Sequence, residues 1–539
     1  MRRLLFSVLI LAFAAPVLAQ AKHPFTFEDM MKLKRVGDPQ VSPDGKWVIF
    51  SVVDVDLEAN SKTPHVWIVP TAGGQEKEII ADQDADRPRW APDGKRFAFL
   101  STKEGGSQVW IADFDGAAGN VTGVHRLTSI ATEAGGELWS PDGKNILFTS
   151  DVYPECDGAL AQEDRCNEKR VKDAEQSKVK ALIFEHLLYR HWNAYKEGKR
   201  SHLFVVSVPA ESGAHVYDQL TAIPRDLTPG DYDAPVFSLG GQDDYAFSPD
   251  GKEICYASNH DKNPAASTNN DLWIVPVGGG SAKNLTADNP ASDTSPLYSP
   301  DGRYIAYRAQ QRPGYESDRF RLMLYDRKTG EKKNLTESWD HWVGSFVWAG
   351  GHEIYLTAED EGESPVYGIT PEFCPKGCYP IIVADGFNDD LDVSQIAVAE
   401  KESTNLVERI TFTQMSLQAP TEISTVDLPS CVEGGEKIGA RLRGELKDPR
   451  PKCALARPRL LTHLNNALLS QVDMSPLESF RFTGANGDKV EGFLVKPPNF
   501  DASKKYPVKF LIHGGPQGAW GDDWSFRWNP ELFAAPTSS

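Results

Sequence analysis

The sequence predicts a mainly β chain, a seven-bladed β-propeller followed by the opening strands of an α/β domain. Three observations carry this. A Pro-Asp-Gly turn recurs, with prolines 43, 92, 141, 249 and 300 spaced 49, 49, 108 and 51 residues apart. Two further features follow the turns in the same order. After about residue 455 the repeat gives way to an Asn-Gly hairpin pattern and an apolar strand ending in His513-Gly514-Gly515-Pro516.

The first element is a targeting segment. Arg2 and Arg3 precede an apolar run from Leu4 to Ala15, broken only by Ser7. Small residues suited to signal peptidase follow at Val17-Leu18-Ala19 and Ala19-Gln20-Ala21. The run is short for a bilayer and no stop-transfer pattern follows. Residues 1–21 therefore read as a signal peptide, and the chain as periplasmic or secreted. No later stretch is apolar enough to cross a membrane, so integral membrane association is not expected.

The propeller is expected over residues 22–455. Its turns are Ser42-Pro43-Asp44-Gly45, Ala91-Pro92-Asp93-Gly94, Ser140-Pro141-Asp142-Gly143, Ser248-Pro249-Asp250-Gly251 and Ser299-Pro300-Asp301-Gly302. Trp348-Ala349-Gly350-Gly351 is a degenerate copy. Proline sets φ at the first corner, Asp bonds back to the backbone and Gly accepts positive φ. An alternating strand follows, as in Trp47-Val48-Ile49-Phe50-Ser51. A second strand type comes next, such as Val66-Trp67-Ile68-Val69 or Leu272-Trp273-Ile274-Val275. A third feature closes several units: Arg126-Leu127-Thr128, Asp226-Leu227-Thr228, Asn284-Leu285-Thr286 and Asn334-Leu335-Thr336. The sixth and seventh units are weak in motif and rest on Glu353 to Leu356, Val366 to Ile369, Arg409 to Thr413 and Thr421 to Val426.

The fourth unit is longer by about one period, which marks an insertion at about residues 151–200. It contains Cys156 and Cys166, a charged stretch from Asn167 to Lys180 that reads as helical, and an aromatic, basic run of Phe184, His186, Tyr189, Arg190, His191, Trp192 and Tyr195. Insertions in a propeller map to one face, often a binding face. The segment is expected near a substrate path, although a packed helix with a solvated side explains its residues singly.

Residues 456–539 carry the second domain. Glu478 to Phe482 and Val490 to Val495 flank Ala485-Asn486-Gly487-Asp488, a hairpin signal. Tyr506-Pro507-Val508-Lys509-Phe510-Leu511-Ile512 reads as a strand of a buried sheet running into His-Gly-Gly. Glycines there let the backbone approach a substrate, and a loop N–H can face a developing oxyanion.

Charge and cysteine content narrow the function. The chain has 539 residues and a formal net charge of −19, which becomes −21 without the two arginines of residues 1–21. Such a surface repels phosphate backbones and anionic lipid, so nucleic acid is not an expected partner. Seven cysteines include three neighbouring pairs, 156 with 166, 374 with 378 and 431 with 453, with Cys255 alone in a strand. Local disulfides suit an oxidising compartment. The pairs lack companion histidines at zinc-ligand spacing, and no cofactor or metal site is read from the sequence.

Phe25-Thr26-Phe27-Glu28-Asp29, the Pro-Asp-Gly repeats, Gly484-Ala485-Asn486-Gly487-Asp488 and His513-Gly514-Gly515-Pro516-Gln517-Gly518 together resemble the prolyl-oligopeptidase family. The likeness covers essentially the whole chain after residue 21 and is nearest the bacterial dipeptidyl-peptidase 5 and acylaminoacyl-peptidase branch. It implies a propeller that caps an α/β-hydrolase domain and admits short peptides, with acyl transfer by a Ser-His-Asp triad. By the same resemblance the Gly515 N–H is an oxyanion donor, Gly514 shapes the turn, and His513 is structural. Acidic residues would anchor a substrate's α-amine, and the sequence does not single them out.

One departure stands against this. No Gly-x-Ser-x-Gly occurs in the 539 residues; Ser107, Ser281 and Ser345 follow glycine without the other flanks. The family pattern continues past Leu532-Phe533-Ala534-Ala535 into the nucleophile strand and later Asp and His, so the resemblance implies a truncated hydrolase start with no triad residue and no activity of its own. The alternative is a non-catalytic periplasmic propeller that binds partners, or a pseudoenzyme.

Overall fold

The computed structural model describes residues 22–158, 160–185, 187–210, 223–237, 242–350, 353–373, 380–400, 403–428, 457–514 and 518–535; the signal-peptide segment, His186, Gly515 and the cysteine pairs 374/378 and 431/453 lie outside them. Seven four-stranded antiparallel sheets follow one another along the chain, each in sequential strand order. They begin at Arg35, Asp86, Gly135, Tyr245, Asp293, Phe346 and Phe387. The seven-bladed propeller is therefore formed, and the weak sixth and seventh units are complete blades.

The recurring turn joins the first and second strands of a blade. In the first blade Gly45 N–H donates to the Ser42 carbonyl at 2.8 Å, Ser42 Oγ donates to Asp44 Oδ1 at 2.7 Å, and Gly45 has φ +70°. The same bond recurs from Gly94, Gly143, Gly251 and Gly302. Glycine is required because each sits at φ between +64° and +70°, where a Cβ is strained. The closing feature also has a mechanism. Thr128, Thr228, Thr286 and Thr336 Oγ1 each accept, at 2.9 Å, the N–H of a residue near the start of their blade's third strand.

Thr462 does the same for Ile423 at 2.8 Å in the seventh blade, whose fourth strand is Arg459–Leu460. Leu461-Thr462 is thus a fifth copy of the closing feature, four residues or more past the expected propeller limit of 455. Among the described residues no strand is shared between the last blade and the first. Instead Asp392 Oδ2 accepts the Val41 N–H at 2.6 Å and Asp390 Oδ2 accepts the Asp38 N–H at 3.4 Å. Side chains such as Val48, Val69, Ile423 and Leu461 fill the seam. Indoles link other neighbours: Trp90, Trp139 and Trp348 Nε1 donate to the Gln40, Arg89 and Leu297 carbonyls of the preceding blade's first strand.

The insertion belongs to the third blade, not the fourth. It lies between that blade's second strand, Asn145–Val152, and third strand, Arg200–Ser207. The turn motif opens a blade's second strand, so excess chain after Pro141 must precede the third strand of the same sheet. The expected helix starts earlier than its charged stretch and spans Leu160–Gln176. Cys156 and Cys166 form a disulfide, and Cys255 is a buried free thiol.

Residues 22–34 leave the ring and pack with the C-terminal segment. His23–Pro24 pairs in parallel with Val472–Asp473. Thr26 caps the helix Phe27–Lys32 in a reciprocal box with Asp29, which explains the Thr-Phe-Glu-Asp string. Phe25, Met30 and Leu33 are buried against Val472 and Trp524. The Asn-Gly hairpin forms from Glu478–Thr483 and Lys489–Leu494. The buried strand expected at 508–512 does not: this stretch has no regular structure, and Val508, Phe510 and Ile512 are 85%, 83% and 77% exposed. A strand needs a ladder partner, and none is present among the described residues. Among the described residues no α/β sheet is formed there. Among the described residues no helix is long and apolar enough to cross a membrane.

Candidate functional site

In every blade the strands alternate in direction, so loops joining second to third strands all emerge on one face of the ring. That face carries the C-terminal segment. The sixth-blade loop meets it where Asp522 N–H donates to the Gly362 carbonyl at 2.6 Å and where Arg481 pairs with Glu361 at 2.6 Å. The seventh-blade turn meets it where Leu417 N–H donates to Asp522 Oδ1 at 2.8 Å. The third-blade insertion is also a second-to-third connection and rises on the same face.

The insertion encloses a cavity of about 880 Å³ with Phe184, Leu188 and Tyr189 among its apolar lining and Arg170, Lys196 and Arg200 among its charged lining. Phe184 stacks on Tyr189 with centroids 4.3 Å apart, and Tyr195 continues the stack at 5.8 Å from Phe184. His191 stacks on Phe237 at 4.1 Å. Arg190 lies over Tyr189, and Trp192 is 71% exposed. Lys196 is tied down by Asp151 at 3.0 Å and Asp233 at 3.2 Å. Apolar walls with fixed charges suit a short amphipathic ligand.

Of the two glycines singled out by the sequence, Gly514 lies in an exposed irregular segment, and a Cβ built on it would touch nothing within 4 Å. His513 Nδ1 sits 3.0 Å from the Gly514 carbonyl. Gly515 is outside the described residues. Among the described residues no contact joins Gly514 to the insertion.

A second constellation was not legible from sequence. The first strands of blades one, two, three, five and seven each carry a bulge, with positive φ at Asp38, Arg87, Gly136, Ser295 and Asp390. A bulge re-aims a side chain, and here charged groups gather around the axis. Arg89 pairs with Asp38 at 2.7 Å. Arg87 reaches past the third blade to Asp243 at 2.7 Å. Asp244 Oδ1 accepts the Ser295 N–H at 2.7 Å, and Arg308 donates to Ser295 Oγ at 3.0 Å. Glu137 is fully buried 3.6 Å from Arg87 Nε, and among the described residues neither of its carboxylate oxygens has a hydrogen-bond partner. Burial outweighs the pull of Arg87 and pushes Glu137 up to about 8. Burial likewise raises Asp392 to about 6, against the N–H groups of Val41 and Val393.

No family model matches the chain. Dipeptidyl-peptidase 5 of Porphyromonas gingivalis is 29% identical over 516 residues, covering 94% of this chain and 66% of the relative. Dipeptidyl-peptidase 5 of Porphyromonas endodontalis is 30% identical over 514 residues, covering 94% of this chain and 65% of the relative. The chain thus spans just under two thirds of the length of these relatives. Among solved structures, the acylaminoacyl peptidase of Pyrococcus horikoshii superposes with a TM-score of 0.64 at 17% identity, covering 94% of this chain and 64% of that one. These likenesses make the chain similar along 94% of its length to the dipeptidyl-peptidase 5 enzymes and, in fold, to the acylaminoacyl peptidase, in keeping with the resemblance carried by its motifs.

Proposed function

We propose that the chain supplies the gating propeller and the first hydrolase elements of a secreted or periplasmic serine exopeptidase, of dipeptidyl or acylaminoacyl type, acting on short peptides. The observation that carries this is the 29–30% identity to dipeptidyl-peptidase 5 along 94% of the chain. In this reading the charged ring narrows the axial route, and the insertion cavity borders the face on which peptides are processed. Gly515 N–H donates to the oxyanion, with Gly514 shaping its turn. The acyl-transfer serine belongs to a Gly-x-Ser-x-Gly elbow. The 539 residues contain none, so the 539-residue chain by itself is expected to bind peptides without turning them over.

The test compares two proteins: the purified 539-residue chain and the product of the reading frame as it stands in the source genome. Fluorogenic amides of free dipeptides and of N-acylated residues serve as substrates, with a serine-directed phosphonate as probe. Phosphonate-sensitive release by the genomic product alone supports the reading. Release by neither protein, with no phosphonate labelling, overturns it in favour of a peptide-binding propeller.

A further inference from the structure

We propose that Asp157, His202 and Asp226, with Glu163 as an outer carboxylate beside them, form a site for a divalent first-row transition-metal cation, of which Zn²⁺ is the type case, that ties the insertion to the third blade. Donor atoms of Asp157, His202 and Asp226 lie within 4.8 Å of one another. Donors on one tetrahedral zinc stand about 3.4 Å apart, so a bound ion would draw the exposed Asp157 carboxylate inward and open the 2.6 Å contact between His202 and Asp226.

His202 is wholly buried on the third strand of the blade. Its Nε2 is 2.9 Å from the Gly230 carbonyl, which can only accept, so Nε2 carries the hydrogen. That is how a metal-ligating imidazole is commonly oriented, by a backbone acceptor on the nitrogen that does not bind. The other nitrogen, Nδ1, faces Asp226 Oδ2 at 2.6 Å, a place that holds a proton or a cation displacing it.

Glu163 provides the independent observation. It stands in the first turn of the insertion helix, is 4% exposed, and its Oε1 has no hydrogen-bond partner among the described residues. Beyond burial, the charges that act on it most are those of Asp226, His202 and Asp157, the other members of the site. Two carboxylates therefore stand with one imidazole, Glu163 lies within electrostatic reach of all three, and His202 is the only cation among the main influences on Asp157 and Glu163. An uncompensated buried carboxylate is costly, and a divalent cation compensates it.

The insertion supplies Asp157 and the outer Glu163, and the blade supplies His202 and Asp226. Asp157 and Glu163 both lie inside the loop closed by the Cys156–Cys166 disulfide, beside which Asn167 Oδ1 accepts the Tyr153 N–H at 2.9 Å. Asp157 also lines the cavity, which gives the ion a route from solvent. One imidazole beside two carboxylates favours zinc-like cations over calcium or magnesium, which take oxygen.

The test is titration calorimetry of the full 539-residue chain, stripped with a chelator, against Zn²⁺ alone and Ca²⁺ alone, with thermal melts of each state. The expected result is one Zn²⁺ per chain and a higher melting temperature, with Asp157→Asn and Glu163→Gln each weakening binding roughly 10- to 100-fold. Both substitutions keep side-chain shape, and melts of the stripped variants check that they fold. Absence of stoichiometric Zn²⁺ binding by the folded chain, binding unchanged in both variants, or equal binding of Ca²⁺ overturns the proposal.

Discussion

Glu137→Gln isolates one buried charge at the propeller axis. Glu137 has a folded-state pKa of about 8 against 4.5 for the ordinary carboxyl, because burial outweighs Arg87. Between those values the native chain holds a proton that the unfolded chain has released. Stability then falls as pH rises from 4.5 to 8, by about 1.4 kcal/mol per pH step. From pH 6 to pH 8 the loss is about 2 kcal/mol, allowing for half-titration at the upper end. Glutamine resembles the protonated acid and does not titrate. Any fixed cost of its amide is the same at both pH values. Urea unfolding of wild type and variant at pH 6 and pH 8, followed by tryptophan fluorescence, gives the difference between them, in which all other titrating groups cancel. The variant should gain about 2 kcal/mol on wild type across that interval. A pH-independent difference would show that Glu137 is ionised throughout, held by Arg87, and the burial argument would fail.

Two further outcomes are expected. Limited proteolysis should cut first between residues 500 and 514, where Val508, Phe510 and Ile512 face solvent without a ladder, while the blades resist; equal protection of 460–535 would contradict the described exposure. Asp392→Ala should lower the unfolding free energy by about 1–3 kcal/mol, because it strands the Val41 and Val393 N–H groups at the seam between the last and first blades; a melt indistinguishable from wild type would mean the seam is held by apolar packing alone.

What could be read from the sequence was what has a local cause. Gly45, Gly94 and their counterparts are demanded by a positive φ that each turn fixes within four residues. The Leu-Thr closing feature is equally local, yet Leu461-Thr462 lies past residue 455, where the sequence reads as the start of the second domain. The charged ring was invisible for a different reason. A bulge breaks strict alternation, so Asp38, Arg87 and Asp390 look like loop residues although they meet at the axis. Strand 508–512 depends on neighbours instead: its apolar alternation satisfies every local rule, but a strand is stable only beside another, and its apolar faces are exposed as expected of a hydrolase start without its sheet. The proposed metal-site residues at 157, 163, 202 and 226 have no ligand spacing at all, since two blade strands and a helix bring them together.

The direction of the chain within a blade carries a consequence for access. An insertion between first and second strands would have emerged beside the Pro-Asp-Gly turns, on the far face. Placed between second and third strands, residues 153–199 share the face on which Gly362 and Leu417 grip Asp522. On the proposed function, a peptide threading the axis would have to displace Arg87 from Asp243 and Arg89 from Asp38, both at 2.7 Å. Arg87 is 21% exposed, and breaking a partly buried pair leaves a poorly compensated charge. A lateral approach past Trp192 and the Phe184–Tyr189–Tyr195 stack breaks no such pair. The insertion, rather than the axial channel, is therefore where selection among peptides would act.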